Sequence, residues 1–532
     1  MPRYQLMKTT WLVALTGLLM MAWQPALSES LTPSSKPARP EVRTKQGQVS
    51  GSLVDGGLVF KNLPYAAPPV GPNRWRVPAA APSWKGVRDA SQFGPSCPQD
   101  PMGWNNVDAE RASEDCLSLN IWTPRIDQHA GETGLPVMVW LHGGGFAGGS
   151  GGNNFSDGTK LMRHGVVVVT INYRVGVLGF LAHPELARET VDGSNGNYGL
   201  TDQIAALRWV QDNIGRFGGD PSNVTVFGQS AGAIAASWLI TSDGAHGLFH
   251  RVILQSGSAF GAGTISVTRA RAERVGSQFG AIAQLRKLPA KELLQRWQTF
   301  EAQAPQEHAV GPIVDGRVFR KQPAKALLEG AGKEVDVIAG SNSQEFSVDE
   351  PVESLRQRIT ESFGDKAEQA ISYYFPNGAA RAADPLLGNA GTQLADDLSF
   401  RCPSILSARV AHAAWIYQFE QPRSGELVTG HSHELVYVFG NWGPEWPLKQ
   451  PMSSAELALL DQMQSYWTNF ARTGDPNGPN LPPWPRYNRA DDSYAAISAA
   501  RTAALTHLRG DICPLYVSHW SNPASYDSST EH

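Results

Sequence analysis

The sequence predicts an α/β fold, with a large central sheet, mostly parallel, flanked by helices. Three observations point there. Short apolar runs, several of them unbroken, suit central strands covered on both faces: Pro136 to Leu141, Val166 to Ile171, Val224 to Phe227 and Val252 to Leu254. Between them Leu200, Ile204, Leu207, Val210 and Ile214 recur at helical spacing, as in an amphipathic helix packed on a sheet. Strand-like runs alternate with helical patterns over most of the chain, which argues for a largely parallel sheet. The 532 residues would allow three or four domains at ~150 residues each. No internal repeat and no long linker follows residue 42, however, so 42–532 is expected to be one large domain with insertions.

From the N-terminus, Arg3 and Lys8 accompany an apolar stretch of 13 residues, Trp11 to Trp23. That stretch is too short to span ~30 Å of hydrocarbon as a helix. Ala26-Leu27-Ser28 then offers small residues before a cut. Residues 1–28 are expected to be a signal peptide and 29–41, rich in Pro and Ser, a flexible lead-in. The protein is thus expected to be exported, to the periplasm or beyond. No membrane span is expected after cleavage, because no later stretch approaches ~18 apolar residues. The net charge is −4 and becomes −6 when Arg3 and Lys8 are removed. There is no strong basic run, which excludes a nucleic-acid partner. With 41% hydrophobic and 18% charged residues the chain is not a disordered one. Export permits disulfides. Cys97, Cys116, Cys402 and Cys513 allow three pairings, of which the local Cys97–Cys116, leaving Cys402–Cys513, is the simplest. None has a zinc-type spacing, so no metal is expected.

The run ending at Leu141 leads into His142-Gly143-Gly144-Gly145-Phe146. Successive glycines let backbone N–H groups face an oxyanion without side chains in the way, as acyl transfer requires. Gly148 to Gly152 also suggests a phosphate loop, but no Gly-Lys-Ser/Thr follows. Next, Val224 to Phe227 leads into Gly228-Gln229-Ser230-Ala231-Gly232 and an alanine-rich helical stretch. This is G-x-S-x-G between a strand and a helix. The turn strains the serine, needs small residues two before and two after, and lifts the hydroxyl to a helix N-terminus. Ser230 is the expected nucleophile. Further on, the apolar run Val335 to Ala339 precedes Gly340 to Glu345, and Leu435 to Phe439 follows His431 and His433. Alternation does not separate the two histidines: an extended backbone points both to one face, whereas a turn makes them diverge.

Several blocks together resemble the type-B carboxylesterases, the cholinesterase-like branch of the α/β-hydrolases, over nearly all of residues 42–520. They are Asn62 to Gly71, Ser113 to Trp122, Asn197 to Asp202, Phe217 to Gly232, Trp467 to Ala471 and Gly474 to Asn477. The resemblance implies the α/β-hydrolase fold, with insertions forming an active-site gorge, and a triad in the chain order Ser230, Glu345, His431. The three-residue spacing to Glu434 selects His431 over His433. The same alignment gives the N–H groups of Gly144, Gly145 and Ala231 as oxyanion donors. It makes Ser256 a hydrogen-bond partner near the acid. The family's cysteine pattern gives the pairing above, and two ion pairs are implied, Arg74 with Glu114 and Arg174 with Asp202.

Two departures stand out. Gln229 precedes the nucleophile where Glu is usual, which by the resemblance removes a buried carboxylate near the base and makes His431 less easily protonated; Phe346 follows Glu345 where Gly is usual, which alters the wall behind the triad. Trp104 stands near the place of a choline-binding tryptophan, but its spacing to Cys116 differs, so it reads as a loop tryptophan. The expected reaction is hydrolysis of a small-molecule carboxylic ester through an acyl-enzyme, with no cofactor. Alternatives are a catalytically silent binding module and, among enzymes, a lipase or an exported bacterial fumonisin-type esterase, which looks similar through Gly148 to Gly232. A lipase would need an apolar lid, and the Cys97–Cys116 loop is not strongly hydrophobic. Oligomeric state has no signal in the sequence.

Overall fold

The structure, a computed structural model, describes residues 39–124, 134–261, 267–305, 310–443 and 446–526. The expected signal peptide, 1–28, lies outside the described residues, as does the lead-in up to residue 38. Arg39 already belongs to the folded unit, and the first strand is Glu41–Arg43. The fold therefore reaches slightly ahead of the expected start at 42.

Eleven strands form the main sheet. They are β1 (Ser52–Val54), β2 (Gly57–Pro64), β3 (Ser118–Pro124), β4 (Leu135–Leu141), β5 (Val167–Ile171), β6 (Gly219–Gln229), β7 (Arg251–Gln255), β8 (Asp336–Asn342), β9 (Ala414–Phe419), β10 (Tyr494–Ile497) and β11 (Thr502–Leu505). Their spatial order is β11-β10-β9-β8-β7-β6-β4-β5-β3-β2-β1. Strands β4 to β10 are mutually parallel. Both edges, β3-β2-β1 and β11, are antiparallel.

The unbroken apolar runs are explained by two cores, one on each face. Val137, Val139 and Leu141 of β4 enter one cluster, with Val167, Val169, Val224 and Val252. Met138 and Trp140 enter the other, with Val168, Phe227 and Ile253. Alternate side chains of one strand point to opposite faces, so a strand covered on both sides must be apolar throughout.

Seven helices matter for the site: α1 (Asn106–Glu110), α2 (Tyr198–Asn213), α3 (Ala231–Leu239), α4 (Cys402–Val410), α5 (Leu435–Phe439), α6 (Ser454–Thr473) and α7 (Cys513–Trp520). Leu200, Ile204, Leu207 and Val210 of α2 all pack into the first core, as their spacing predicts. α5 and α6 cover the opposite face. α6 starts at a capping box between Ser453 and Glu456 and stops at Gly474, whose φ is 83°. Cys97 is bonded to Cys116, and Cys402 to Cys513, which ties α4 to α7. Arg74 meets Glu114 through two bonds of 2.7 and 2.6 Å, and Arg174 meets Asp202 through two of 2.7 Å. Among the described residues no helix is long and apolar enough to cross a membrane.

Chain order reverses at β4, which has β5 on one side and β6 on the other. In open parallel sheets the crevice outside the carboxyl ends at such a point is where ligands bind. The loops after β4, β6 and β8 all leave from that end.

Candidate active site

Ser230 follows β6 and caps α3, with φ 56° and ψ −126°. A non-glycine residue there is strained and is held only by close surroundings. Its N–H donates to the carbonyl of Gln255 at 2.8 Å, and its own carbonyl accepts from Ile234 at 2.9 Å. The flanking glycines are sterically required: a Cβ at Gly228 would lie 2.5 Å from the Gly232 carbonyl carbon, and one at Gly232 only 2.0 Å from the carbonyl oxygen of Leu141. Ala231 is the first residue of α3, so its N–H has no intrahelical acceptor.

The loop after β4 lies against this turn. A Cβ at Gly143 would stand 2.7 Å from the Gln229 carbonyl oxygen and 3.1 Å from Ser230 Cβ. Gly144 and Gly145 have φ of 111° and 62°, and the Gly144 carbonyl accepts from Ala147 and Gly148. The loop thus folds back on itself and brings Gly144, Gly145 and Ser230 to one cavity wall.

Glu345 and His431 come from the loops after β8 and β9. Glu345 is buried; its Oε1 accepts from the N–H of Asn342 and its Oε2 lies 2.7 Å from Nδ1 of His431. Their backbones also meet, His431 N–H donating to the Glu345 carbonyl at 2.9 Å. The Glu345 N–H in turn donates to buried Asp396, which pairs with Arg401. His433 points elsewhere. It is buried, not at the surface, and its Nδ1 accepts from Gly430 N–H at 2.9 Å. Burial pushes its imidazole down to about 4.

One expected contact does not form. Ser256 is fully buried with φ 51°, and its hydroxyl has no partner among the described residues. The two oxygens of Glu345 are met by Asn342 N–H and His431 Nδ1. The two unusual residues both touch the histidine instead. Gln229 Nε2 lies 3.0 Å from His431 Nε2. The ring of Phe346, half-exposed, covers the imidazole at 4.4 Å between centroids, and Phe400 stands beside the imidazole at 5.7 Å.

The cavity has a volume of about 560 Å³. Its walls include residues that no motif marked: Met102 and Asp108 from the Cys97–Cys116 loop, Phe155, Trp140 and Trp446. Trp104 joins them, so this loop tryptophan is part of the cavity wall. Asp108 is buried, and that burial raises its carboxyl above the ordinary range. These residues come from distant segments, and only the fold collects them.

Residues 38–513 match the model of the carboxylesterase family. A fumonisin B1 esterase of Sphingopyxis macrogoltabida is 38% identical over 90% of this chain and 92% of its own length. The para-nitrobenzyl esterase of Bacillus subtilis (strain 168) is 33% identical over 84% of this chain and 92% of its own. Among solved structures, a thermophilic PNB esterase superposes with a TM-score of 0.77 at 30% identity, covering 90% of this chain and all of that one. A Geobacillus stearothermophilus carboxylesterase does so with 0.76 at 33% identity and the same coverage.

Proposed function

The chain belongs to the carboxylesterase family and is a serine hydrolase of carboxylic esters; on that premise we propose that Ser230, His431 and Glu345 are its nucleophile, base and acid. The observation that carries the assignment is the 2.7 Å contact of Glu345 with His431 Nδ1, beside a strained serine at a helix N-terminus. Ser230 Oγ gives its proton to His431 Nε2 as it attacks the ester carbonyl. Glu345 fixes the ring's tautomer and stabilises the imidazolium. The oxyanion sits on the N–H groups of Gly144, Gly145 and Ala231, and such preorganised donors supply a large share of catalysis. The alcohol leaves with the proton from His431, and water, deprotonated by the same ring, frees the acid.

Substrates are small-molecule esters. A cavity of about 560 Å³ suits a drug-sized ligand. The identity with an esterase of fumonisin B1 also favours a bulky ester over a short one. The two disulfides and the lack of a spanning helix among the described residues are compatible with export.

A fluorophosphonate probe tests the nucleophile. It should label the wild-type protein at Ser230 and leave folded Ser230→Ala unlabelled, with ester turnover down by ~10⁴-fold or more. Labelling at another serine, or turnover near wild type in Ser230→Ala, would remove Ser230 from the role.

A further inference from the structure

Gln229 is the last residue of β6, 3% exposed, and stands immediately before Ser230. Its side-chain nitrogen is 3.0 Å from His431 Nε2. An ionised Glu345 can only accept, so the Nδ1 it faces at 2.7 Å carries the ring proton. The neutral ring then presents a lone pair at Nε2, and the amide N–H of Gln229 is the donor that meets it. The hydroxyl of Ser230 forms no hydrogen bond with the described residues.

We propose that Gln229 is a positioning residue of the ester hydrolysis: its amide N–H holds the Nε2 lone pair of His431 in the free enzyme and releases it to the Ser230 hydroxyl when an ester enters. This rests on the roles given above to Ser230 and His431. The exchange breaks one N–H···N bond and forms one O–H···N bond, and no proton changes owner until Ser230 attacks. Two consequences follow from the chemistry of the amide. A donor facing Nε2 favours the neutral ring, because a protonated Nε2 would meet another donor. Once His431 takes the serine proton, the amide must turn Oε1 toward the ring or move away. A carboxylate in its place would act in the opposite sense, drawing a proton onto Nε2 by charge. Glutamine therefore keeps the base unprotonated, and usable, to lower pH than glutamate would.

Other charged groups face the same ring. Glu345 comes from the loop after β8, and Glu434 and His433 from the turn of His431 itself, while Asp396, paired with Arg401, reaches the Glu345 N–H from the segment before α4. Phe346 and Phe400 pack beside the ring. Glu434 titrates in the window of interest, its carboxyl pushed up to about 7 mainly by burial. The profiles are therefore measured in a Glu434→Gln background as well.

The experiment is kcat/KM for p-nitrophenyl butyrate from pH 5 to 9 in wild type, Gln229→Glu and Gln229→Met. The acidic limb should move up by about 1 pH unit in Gln229→Glu, with Gln229→Met, which lacks the donor but keeps the length, in between. A residue that merely filled space would lower kcat and leave the limb in place. Limbs that superimpose within ~0.2 units would overturn the proposal. If Gln229→Glu does not fold by circular dichroism, Gln229→Met decides: an unmoved limb overturns it. Turnover persisting in His431→Ala would instead strike the triad assignment. Dead Ser230→Ala and His431→Ala enzymes with superimposed limbs would strike this inference alone.

Discussion

His431 and His433 are two residues apart and face different partners, because Ser432 between them takes φ 68°. The left-handed residue breaks the alternation that would otherwise put both rings on one face. His431 reaches Glu345 and the cavity, while His433 turns inward to the N–H of Gly430. Replacing each by alanine should separate chemistry from structure. His431→Ala should lose ~10⁴-fold or more in kcat/KM, since residues that act as a unit fail together. His433→Ala should keep kcat within about tenfold but lose about 1–3 kcal/mol of stability, from a buried N–H left unpaired and a cavity left behind. A urea titration beside the ester assay reads both. The reverse pattern would move the base to His433. In the sequence only the family resemblance separates the two histidines, through the three-residue spacing to Glu434. The resemblance already sets Gln229 near the base, but not its direct 3.0 Å contact with His431 Nε2, which joins positions far apart in the chain. Nor is the unpartnered hydroxyl of Ser256 legible there, since it depends on the fold around it.

At the scale of elements, the turn between β6 and α3 fixes how close β6 can come to β4. Gly232 faces the backbone oxygen of Leu141, so an added methyl at 2.0 Å meets an atom that cannot swing aside. Gly232→Ala should therefore push the nucleophile turn away from the glycine loop, cutting ester turnover at least ~100-fold, since small misplacements of reacting groups cost that much. Gly215→Ala is the control. No atom lies within 4 Å of its added Cβ, and its φ is not left-handed. That change should stay within ~0.5 kcal/mol in thermal unfolding and keep activity. Equal activity in the two variants would show that the close approach is not needed. The central strands were readable because burial on both faces leaves no polar position to confuse the pattern. The antiparallel edges were not, since β1 and β11 are short and partly exposed and carry no such signature. The Cys97–Cys116 loop read as too polar for a lid, yet it contributes Met102, Trp104 and Asp108 to the cavity wall. Composition averaged over a loop does not say which side chains turn inward.

Over the whole molecule, the charges gathered behind the site left no mark in the sequence. Glu345, Asp396 and Glu434 are buried within a few residues' reach of each other, and Arg401 and Arg509 serve Asp397. Among the described residues Glu434 forms no ion pair: it accepts from the amides of Gln255 and Asn342 at 3.0 and 2.7 Å. Burial first, then the nearby Glu345, raises its carboxyl from 4.5 to about 7. Asp396 is raised to about 7 as well, by burial against the pull of Arg401. A carboxyl raised in the fold holds its proton where the unfolded chain has lost it. Stability therefore falls as pH rises from about 4.5 to about 7 and is level above, the reverse of Asp397, whose carboxyl is lowered and whose contribution is lost only in acid. Glu434→Gln removes that term and keeps one oxygen to accept from Gln255 or Asn342. The variant should be more stable than wild type at pH 8, by about 1–3 kcal/mol, and the gain should vanish near pH 5. Thermal unfolding of both proteins at pH 5, 6.5 and 8 measures this. A difference that stays constant with pH would mean that Glu434 is ionised in the fold at no cost, with its two amides fully compensating the loss of water.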